Sequence, residues 1–249
     1  MSLKFDEQDG VLLITLNRPE AANTLNTEVI SGLGQALTDA EHNDAIRVIV
    51  LTGAGDRVFC AGMDLKEFSS DGAPDVEGPG LEVFQQRLYP KPMIAALNGT
   101  AVAGGFELAL ACDLIVAAEH AKVGLPEVKR GLFAAGGGTR LPQRIPLSLA
   151  LELGLLGDPV SARRALEVGL VNRVVEGSQV LEEALLLARK IAQNGPLGVA
   201  ATKRLMYEAV PDTDWADIDR TARTVFASED AREGARAFVE KRPAVWTGR

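Results

Sequence analysis

The spacing of apolar residues in the first part of the chain predicts strands and helices in alternation. Short β-rich runs occur at Val11–Leu16, at residues 46–51 and at Met93–Leu97, and each ends at a turn rich in Gly, Asn or Pro. Between the first two runs, apolar residues recur from position 29 to 40 with the spacing of one helix face, and Thr27 is its predicted N-cap. A unit of strand, glycine turn and helix start therefore begins to repeat.

The pattern changes after Ser178. Apolar residues at positions 181–191 form a helical stripe that ends at Asn194-Gly195-Pro196, and the chain then reads as helical up to Val239. We therefore predict an α/β core over residues 1–193 that carries the functional site. Residues 194–249 are predicted to be a helical region that serves oligomerisation.

Composition excludes several classes of protein. The chain has 26 Lys and Arg against 34 Asp and Glu, a net charge of −8, which argues against nucleic acid or an anionic membrane as the main partner. Its two cysteines, Cys60 and Cys112, and its two histidines favour neither a disulfide scaffold nor a zinc site. The polar N-terminus is unlike a signal peptide. We expect a cytoplasmic protein that needs no metal and no cofactor.

Known nucleotide and nucleophile motifs are missing. The sequence contains no GxSxG elbow, no GxxxxGK[ST] loop and no GxGxxG after a strand. Two other Gly-rich turns, at residues 59–66 and 98–107, place free backbone N–H groups at predicted helix starts. Such groups can hold an anion, and two aimed at one point form an oxyanion hole. Close packing that admits only Gly or Ala is the alternative explanation of either turn.

Two glutamates stand in apolar or rigid surroundings. Glu107 lies within the apolar run 104–111, and Glu127 follows the turn Gly124-Leu125-Pro126. Burial would raise both pKa values towards the working range of a general acid or base. The alternatives are an ion pair with an arginine for Glu107 and a solvated loop position for Glu127. Asp113, at the start of a strand, is predicted to be a structural hydrogen-bond acceptor.

These residues resemble the motifs of the crotonase superfamily, the enoyl-CoA hydratase/isomerase family. The matching segments run in order along essentially the whole chain: Leu16-Asn17-Arg18-Pro19 with Leu25-Asn26, residues 59–67, residues 98–109 with Cys112-Asp113, residues 124–127, residues 169–171 and residues 238–242. The resemblance implies an α/β fold, a crotonase-like spiral of repeated ββα units followed by a C-terminal helical region. It also implies packing of protomers into trimers, often paired into hexamers.

The resemblance implies a site as well. The N–H groups of Met63 and Gly104 match those that grip the thioester oxygen of a 2-enoyl-CoA. Glu107 matches the glutamate that deprotonates water, and Glu127 the one that supplies a proton to C2. Further contacts to acyl-CoA are implied for Ala61, Asp64, Leu65, Lys66, Gly105, Ala135, Phe238 and Lys241.

The expected activity is that of an enoyl-CoA hydratase, a lyase that adds water across the 2,3 double bond. The alternatives are another reaction of the superfamily, either enoyl-CoA isomerisation or dehydration of a hydroxyacyl-CoA, and a non-catalytic acyl-CoA-binding protein. One segment departs from the pattern, because Ala134-Ala135 stands where the family usually has Pro and Gly. The Gly- and Pro-rich loop 69–80 is predicted to be either a lid or a simple connection.

Overall fold

The strands form two sheets that the chain visits alternately. The computed structural model describes residues 1–64, 67, 76, 78–86, 88–211 and 213–249. The larger sheet contains, in spatial order, β1 (Leu3–Gln8), β2 (Val11–Leu16), β3 (Val48–Gly53), β5 (Met93–Leu97), β7 (Leu114–Ala118) and β10 (Arg173–Val175). The smaller sheet contains, in spatial order, β4 (Val58–Cys60), β6 (Thr100–Val102), β8 (Lys122–Gly124) and β9 (Val160–Ser161).

Each turn of the spiral adds one strand to each sheet. The pairs β3–β4, β5–β6 and β7–β8 follow one another in sequence, and their members are parallel neighbours in both sheets. Only the outer pairs β1–β2 and β8–β9 are antiparallel among the described strands. This repeat confirms the predicted spiral of strand–turn units and the α/β class.

Helices cover the sheets and extend beyond them. They are α1 (Thr27–His42), α2 (Glu82–Gln85), α3 (Gly104–Ala111), α4 (Leu147–Leu156), α5 (Ala162–Glu167), α6 (Val180–Ala192), α7 (Pro196–Glu208), α8 (Trp215–Phe226) and α9 (Glu229–Val239). One predicted detail was wrong: the N-cap of α1 is Asn26, whose side chain accepts from the Val29 N–H at 3.0 Å, whereas Thr27 is the first helical residue. No helix in the described ranges is long and apolar enough to cross a membrane.

The centre of the core is β3. Its residues are all buried, because β2 and β5 flank it in the sheet and α6 packs across it. Burial on both faces explains the continuous β-branched run of the sequence, and each such side chain contributes about 1.5–3 kcal/mol.

Asp113 joins the C-terminal helices to this core. Its Oδ2 accepts from the Met93 N–H at 2.7 Å and from Lys203 Nζ on α7 at 2.8 Å, and its Oδ1 accepts from the Tyr207 hydroxyl at 3.0 Å. The structural role predicted for Asp113 is thereby confirmed. The division of the chain at residues 193 and 194 stays a prediction.

Candidate active site

The first Gly-rich turn leaves β4 and passes beside Leu25. The Leu25 N–H donates to Gly62 O at 2.8 Å, and the Asp64 N–H donates to Leu25 O at 2.9 Å. The intervening N–H of Met63 is not used by this bridge. Gly62 has φ +90, and a Cβ there would come within 2.8 Å of the Ala103 Cβ. Glycine is therefore needed both for the conformation and for the close approach of the second turn.

The second turn begins α3 in an unusual conformation. Ala103 precedes the helix with φ 51 and ψ −136, a combination that side chains other than glycine rarely adopt. A Cβ on Gly105 would lie 2.1 Å from the Cys60 carbonyl oxygen. Gly105 thus packs backbone against backbone, so the packing explanation holds for this residue.

The two turns meet at Met63 and Gly104. A Cβ built on Gly104 would lie 3.7 Å from Met63 N and 3.6 Å from Gly62 Cα. Among the described residues, neither the Met63 N–H nor the Gly104 N–H has a backbone acceptor. The backbone around Met63 therefore lies beside the start of α3, although the two segments are remote in sequence.

Asp64 and Ala61 hold the first turn in place. The Asp64 carboxylate accepts from Arg18 Nη2 at 3.1 Å and from the Thr24 hydroxyl at 3.1 Å. The Ala61 N–H donates to Ala22 O at 3.1 Å. Asp64 thus has contacts that fix the backbone beside Met63.

Some predicted contacts fall outside the described residues. These are Leu65, Lys66 and, in the loop 69–80, residues 69–75 and 77.

Glu107 lies in the first turn of α3, and its carboxylate faces the backbone N–H groups of Gly136 and Gly138. It is 6% exposed, and its Oε1 accepts from the Gly138 N–H at 2.9 Å. A Cβ on Gly136 would lie 2.7 Å from its Oε2, so a larger residue there would displace the carboxylate. Burial raises the pKa of Glu107 to about 7, opposed by hydrogen bonds from the Gly138 and Gly136 N–H groups. Its hydrogen-bond partners are backbone groups, which differs from the arginine pair considered as an alternative.

Glu127 lies on the 3-10 turn Pro126–Arg130 and has a buried carboxylate. No other described residue donates a hydrogen bond to its Oε1 or Oε2. Burial and, to a smaller extent, the charge of Glu107 together raise the pKa of Glu127 to about 8. Glu127 is therefore no solvated loop residue. A buried carboxylate without a hydrogen-bond donor is costly, and such groups concentrate at functional sites.

A cavity of about 980 Å³ opens onto Glu107. Gly136 and Gly137 line it beside the carboxylate, and α7 lines its far side. Its size falls in the range of small-molecule sites. Gln85 also lines it and is only 7% exposed, close to Gly136. The sequence pattern did not point to Gln85, because an isolated amide after an irregular loop carries no periodic signal.

The remaining predicted residues lie on two segments, residues 134–135 and the end of α9. Ala134 is buried, and the half-buried Ala135 donates its N–H to Phe133 O at 2.9 Å. Phe238 and Lys241, at the end of α9, are exposed, and the Arg130 guanidinium lies 4.3 Å from the centroid of the Phe238 ring. The structure thus brings Met63 close to Gly104 and Gly105. It also brings Glu107 and Glu127 together, as a second group. Phe238 and Lys241 lie on the outer surface.

Comparison with known proteins agrees with this architecture. A family model described as enoyl-CoA hydratase/isomerase matches residues 6–249. A carnitinyl-CoA dehydratase from Salmonella typhi is 40% identical over 263 residues, covering 100% of this chain and 99% of that protein. The crystal structure of a carnitinyl-CoA hydratase from Mycobacterium avium is 43% identical with a TM-score of 0.93, covering 100% of this chain and 99% of that one. That of an enoyl-CoA hydratase from Mycobacterium tuberculosis H37Rv is 49% identical with a TM-score of 0.79 and the same coverage. The chain therefore belongs to the enoyl-CoA hydratase/isomerase family, within the crotonase superfamily.

Proposed function

We propose that this protein adds water to the 2,3 double bond of a 2-enoyl-CoA and catalyses the reverse elimination. The observation that carries the proposal is the pair of buried carboxylates, Glu107 and Glu127, both with raised pKa values. Water addition needs one group to take a proton from water and another to give a proton to carbon. A coupled pair that holds one proton between its two members supplies both.

The match to the two glutamates of the family supports one division of roles, in which Glu107 is the ionised member of the pair and Glu127 the protonated one. Burial raises the pKa of both carboxyls, so the pair can hold one proton near neutral pH. In the hydration direction Glu107 takes a proton from water while the water oxygen bonds to C3. The C2–C3 π electrons move into an enolate of the thioester. Glu127 then gives its proton to C2, and the carbonyl re-forms.

We further propose that the N–H groups of Met63 and Gly104 hold the thioester oxygen. Negative charge develops on that oxygen only as water attacks, so the two donors stabilise the transition state more than the bound substrate. One such donor contributes about 3–4 kcal/mol in other enzymes. The short separation between the two turns supports this assignment.

A second candidate reaction is the dehydration of a 3-hydroxyacyl-CoA that carries a trimethylammonium group. The names of relatives at 40% identity favour it. By microscopic reversibility the same carboxylate pair serves it, Glu127 removing the C2 proton and Glu107 protonating the leaving hydroxyl. A non-catalytic acyl-CoA-binding protein is less well supported, because a pure binding protein has no use for two buried carboxylates.

We propose further contacts to the acyl-CoA from Ala61, Asp64, Leu65, Lys66, Gly105, Ala135, Phe238 and Lys241, with Ala135 on the stretch that would line the acyl pocket. An acidic protein needs local cations to hold a polyanionic ligand, and an aromatic ring can cover a purine.

We also propose a cytoplasmic homo-trimer or hexamer, assembled through residues 194–249, with no bound cofactor. Sedimentation of the full chain tests the assembly, and a monomer would contradict it.

Turnover on a panel of acyl-CoA thioesters tests the reaction. The panel contains 2-enoyl-CoAs of increasing chain length, 4-trimethylammonio-2-butenoyl-CoA and a 3-enoyl-CoA, with products identified by mass spectrometry. We expect 3-hydroxyacyl-CoA from at least one 2-enoyl-CoA. Turnover of the trimethylammonium thioester alone would select the second candidate. Conversion of the 3-enoyl-CoA alone would select isomerisation, and binding of every thioester without turnover would contradict an enzyme.

A further inference from the structure

One of the helices that pack on the turn carrying Glu127 comes from the far end of the chain. Helix α9 packs on the turn that carries Glu127, and the contact is between backbones. A Cβ on Gly234 would lie 2.2 Å from the Arg130 carbonyl oxygen and 2.7 Å from its Cα. A Cβ on Gly131 would lie 2.6 Å from the Asp230 carbonyl oxygen. Two glycines, one on each element, therefore allow the two backbones to touch.

This contact lies directly at the end of the Glu127 turn. Gly131 terminates the turn with φ 66, and its N–H returns to the carbonyl oxygens of Glu127 and Val128. The Leu132 N–H also donates to the Glu127 carbonyl oxygen, at 3.1 Å. A shift of α9 is therefore passed to the Glu127 backbone through only a few bonds.

The C-terminal tail binds α9 and limits its movement. The Asp230 carboxylate accepts from the Thr247 N–H at 2.7 Å and the Gly248 N–H at 2.9 Å. The buried Glu233 accepts from the Val245 N–H at 3.1 Å and pairs with Arg242 at 2.5 Å. The tail thus doubles back along the helix and holds it through charge-assisted hydrogen bonds, which are the stronger kind.

We propose that α9 positions Glu127. Gly234 sets the distance between α9 and the turn, and the ion pair between Glu233 on α9 and Arg242 in the tail holds α9 in place. The inference rests on the proposed role of Glu127 in proton transfer. Neither Gly234 nor Arg242 touches the reacting atoms in this account. They act through the turn, by keeping the carboxylate at one place and out of water.

Several charged groups lie around the turn, and a movement of α9 would change the environment that they create for Glu127. They are Glu107 across the site, Lys129 and Arg130 on the turn, Asp158 paired with Lys129, and Asp230 and Glu233 on α9. Of these, Glu107 is the group that raises the pKa of Glu127, alongside burial. Water admitted by a displaced helix would remove part of the burial effect, so the pKa of Glu127 would fall.

Gly234→Ala tests the proposal, with Gly154→Ala as the matched control. Both are helical glycines, but a Cβ on Gly154 would meet nothing within 4 Å. In Gly234→Ala, α9 must move out by roughly 1 Å to relieve overlap. We expect kcat on the preferred 2-enoyl-CoA to fall about 10- to 100-fold with KM changed less than about threefold, because misplacement of a catalytic group by this distance has such effects.

The pH profile separates positioning from a general loss of structure. The alkaline limb of kcat should move to lower pH in Gly234→Ala, and the acid limb should stay. Carbon-13 NMR titration of the glutamate carboxyls should show the same fall in the pKa of Glu127 without any substrate. Arg242→Ala should shift both readouts in the same direction by a smaller amount, and it carries the test if Gly234→Ala does not fold.

Two results would overturn the proposal. One is a Gly234→Ala protein with the rate and pH profile of Gly154→Ala. The other is an Arg242→Ala protein with an unchanged profile when Gly234→Ala is insoluble. Glu127→Gln, measured in parallel, distinguishes this failure from failure of the proposed function. If Glu127→Gln keeps the normal rate, the role of Glu127 is wrong. If it is inactive while Gly234→Ala matches its control, only the role of α9 is wrong.

Discussion

The buried carboxylate of Glu127 should make the protein less stable as the pH rises from 5 to 8. Its pKa is raised from 4.5 to about 8 in the folded protein, so the folded state binds this proton more tightly than the unfolded state. Stability from that proton is fully present below pH 4.5 and is lost as the pH rises through about 8. Glu127→Gln removes the titration and should therefore flatten the pH dependence.

The size of the effect follows from the pKa change. Each unit corresponds to about 1.4 kcal/mol, so the ideal loss for Glu127 approaches about 5 kcal/mol between the two pKa values. Relaxation and entry of water around an ionised carboxylate lower this value, and we expect a measured change of at least about 2 kcal/mol. Near pH 5 Glu127 is neutral in the folded protein but already partly ionised in the unfolded chain, so the measurement at pH 5 is the baseline from which the change up to pH 8 is taken.

Urea unfolding at pH 5, 6, 7 and 8, at one protein concentration, measures the prediction. The free energy of unfolding of Glu127→Gln minus that of the unmodified protein should increase by about 2 kcal/mol or more from pH 5 to pH 8. Glu182→Gln, at an exposed position on α6, is the control, and its effect should stay within about 0.5 kcal/mol. A difference that is constant from pH 5 to 8 would refute the reasoning, because it would mean that Glu127 is hydrated.

Three further predictions concern other parts of the site. Asp64→Asn removes the ion pair that fixes the turn at Met63, so kcat should fall about tenfold while KM changes little. Steady-state kinetics measure both constants, and an unchanged kcat would refute this prediction. Gly105→Ala should lose more than about 3 kcal/mol of stability, because its Cβ would lie 2.1 Å from the Cys60 carbonyl oxygen; denaturant unfolding measures this, and a stable variant would contradict the packing. Lys241→Ala should raise KM for acyl-CoA several-fold at constant kcat, whereas an unchanged KM would place the CoA elsewhere.

Local pattern was enough to predict the elements that the site is built on. The apolar run of β5 and the glycines at the start of α3 fix those elements through short-range preferences, and the structure has them where they were expected. The burial of Glu107 follows as well, because every neighbour along α3 is apolar.

The surroundings of Glu127 could not be predicted in the same way. The turn that carries Glu127 packs against α9, and this contact joins residues that are about a hundred positions apart. A sequence pattern reports only near neighbours. Gln85 was missed for a similar reason, since its place beside Gly136 is set by tertiary packing. The N-cap of α1 shows a smaller limit, because Asn26 and Thr27 are both good caps and only the backbone geometry decides between them.

Glu107 and Glu127 are proposed to act as one acid–base pair on an acyl-CoA. The most direct measurement compares single-turnover rates of Glu107→Gln, Glu127→Gln and the unmodified protein on the preferred 2-enoyl-CoA, with the Kd for that thioester measured in parallel. Both variants should lose at least about a hundredfold in rate while Kd changes less than about threefold, because the amides keep the shape and lose the proton transfer. Normal rates in both variants would contradict the claim.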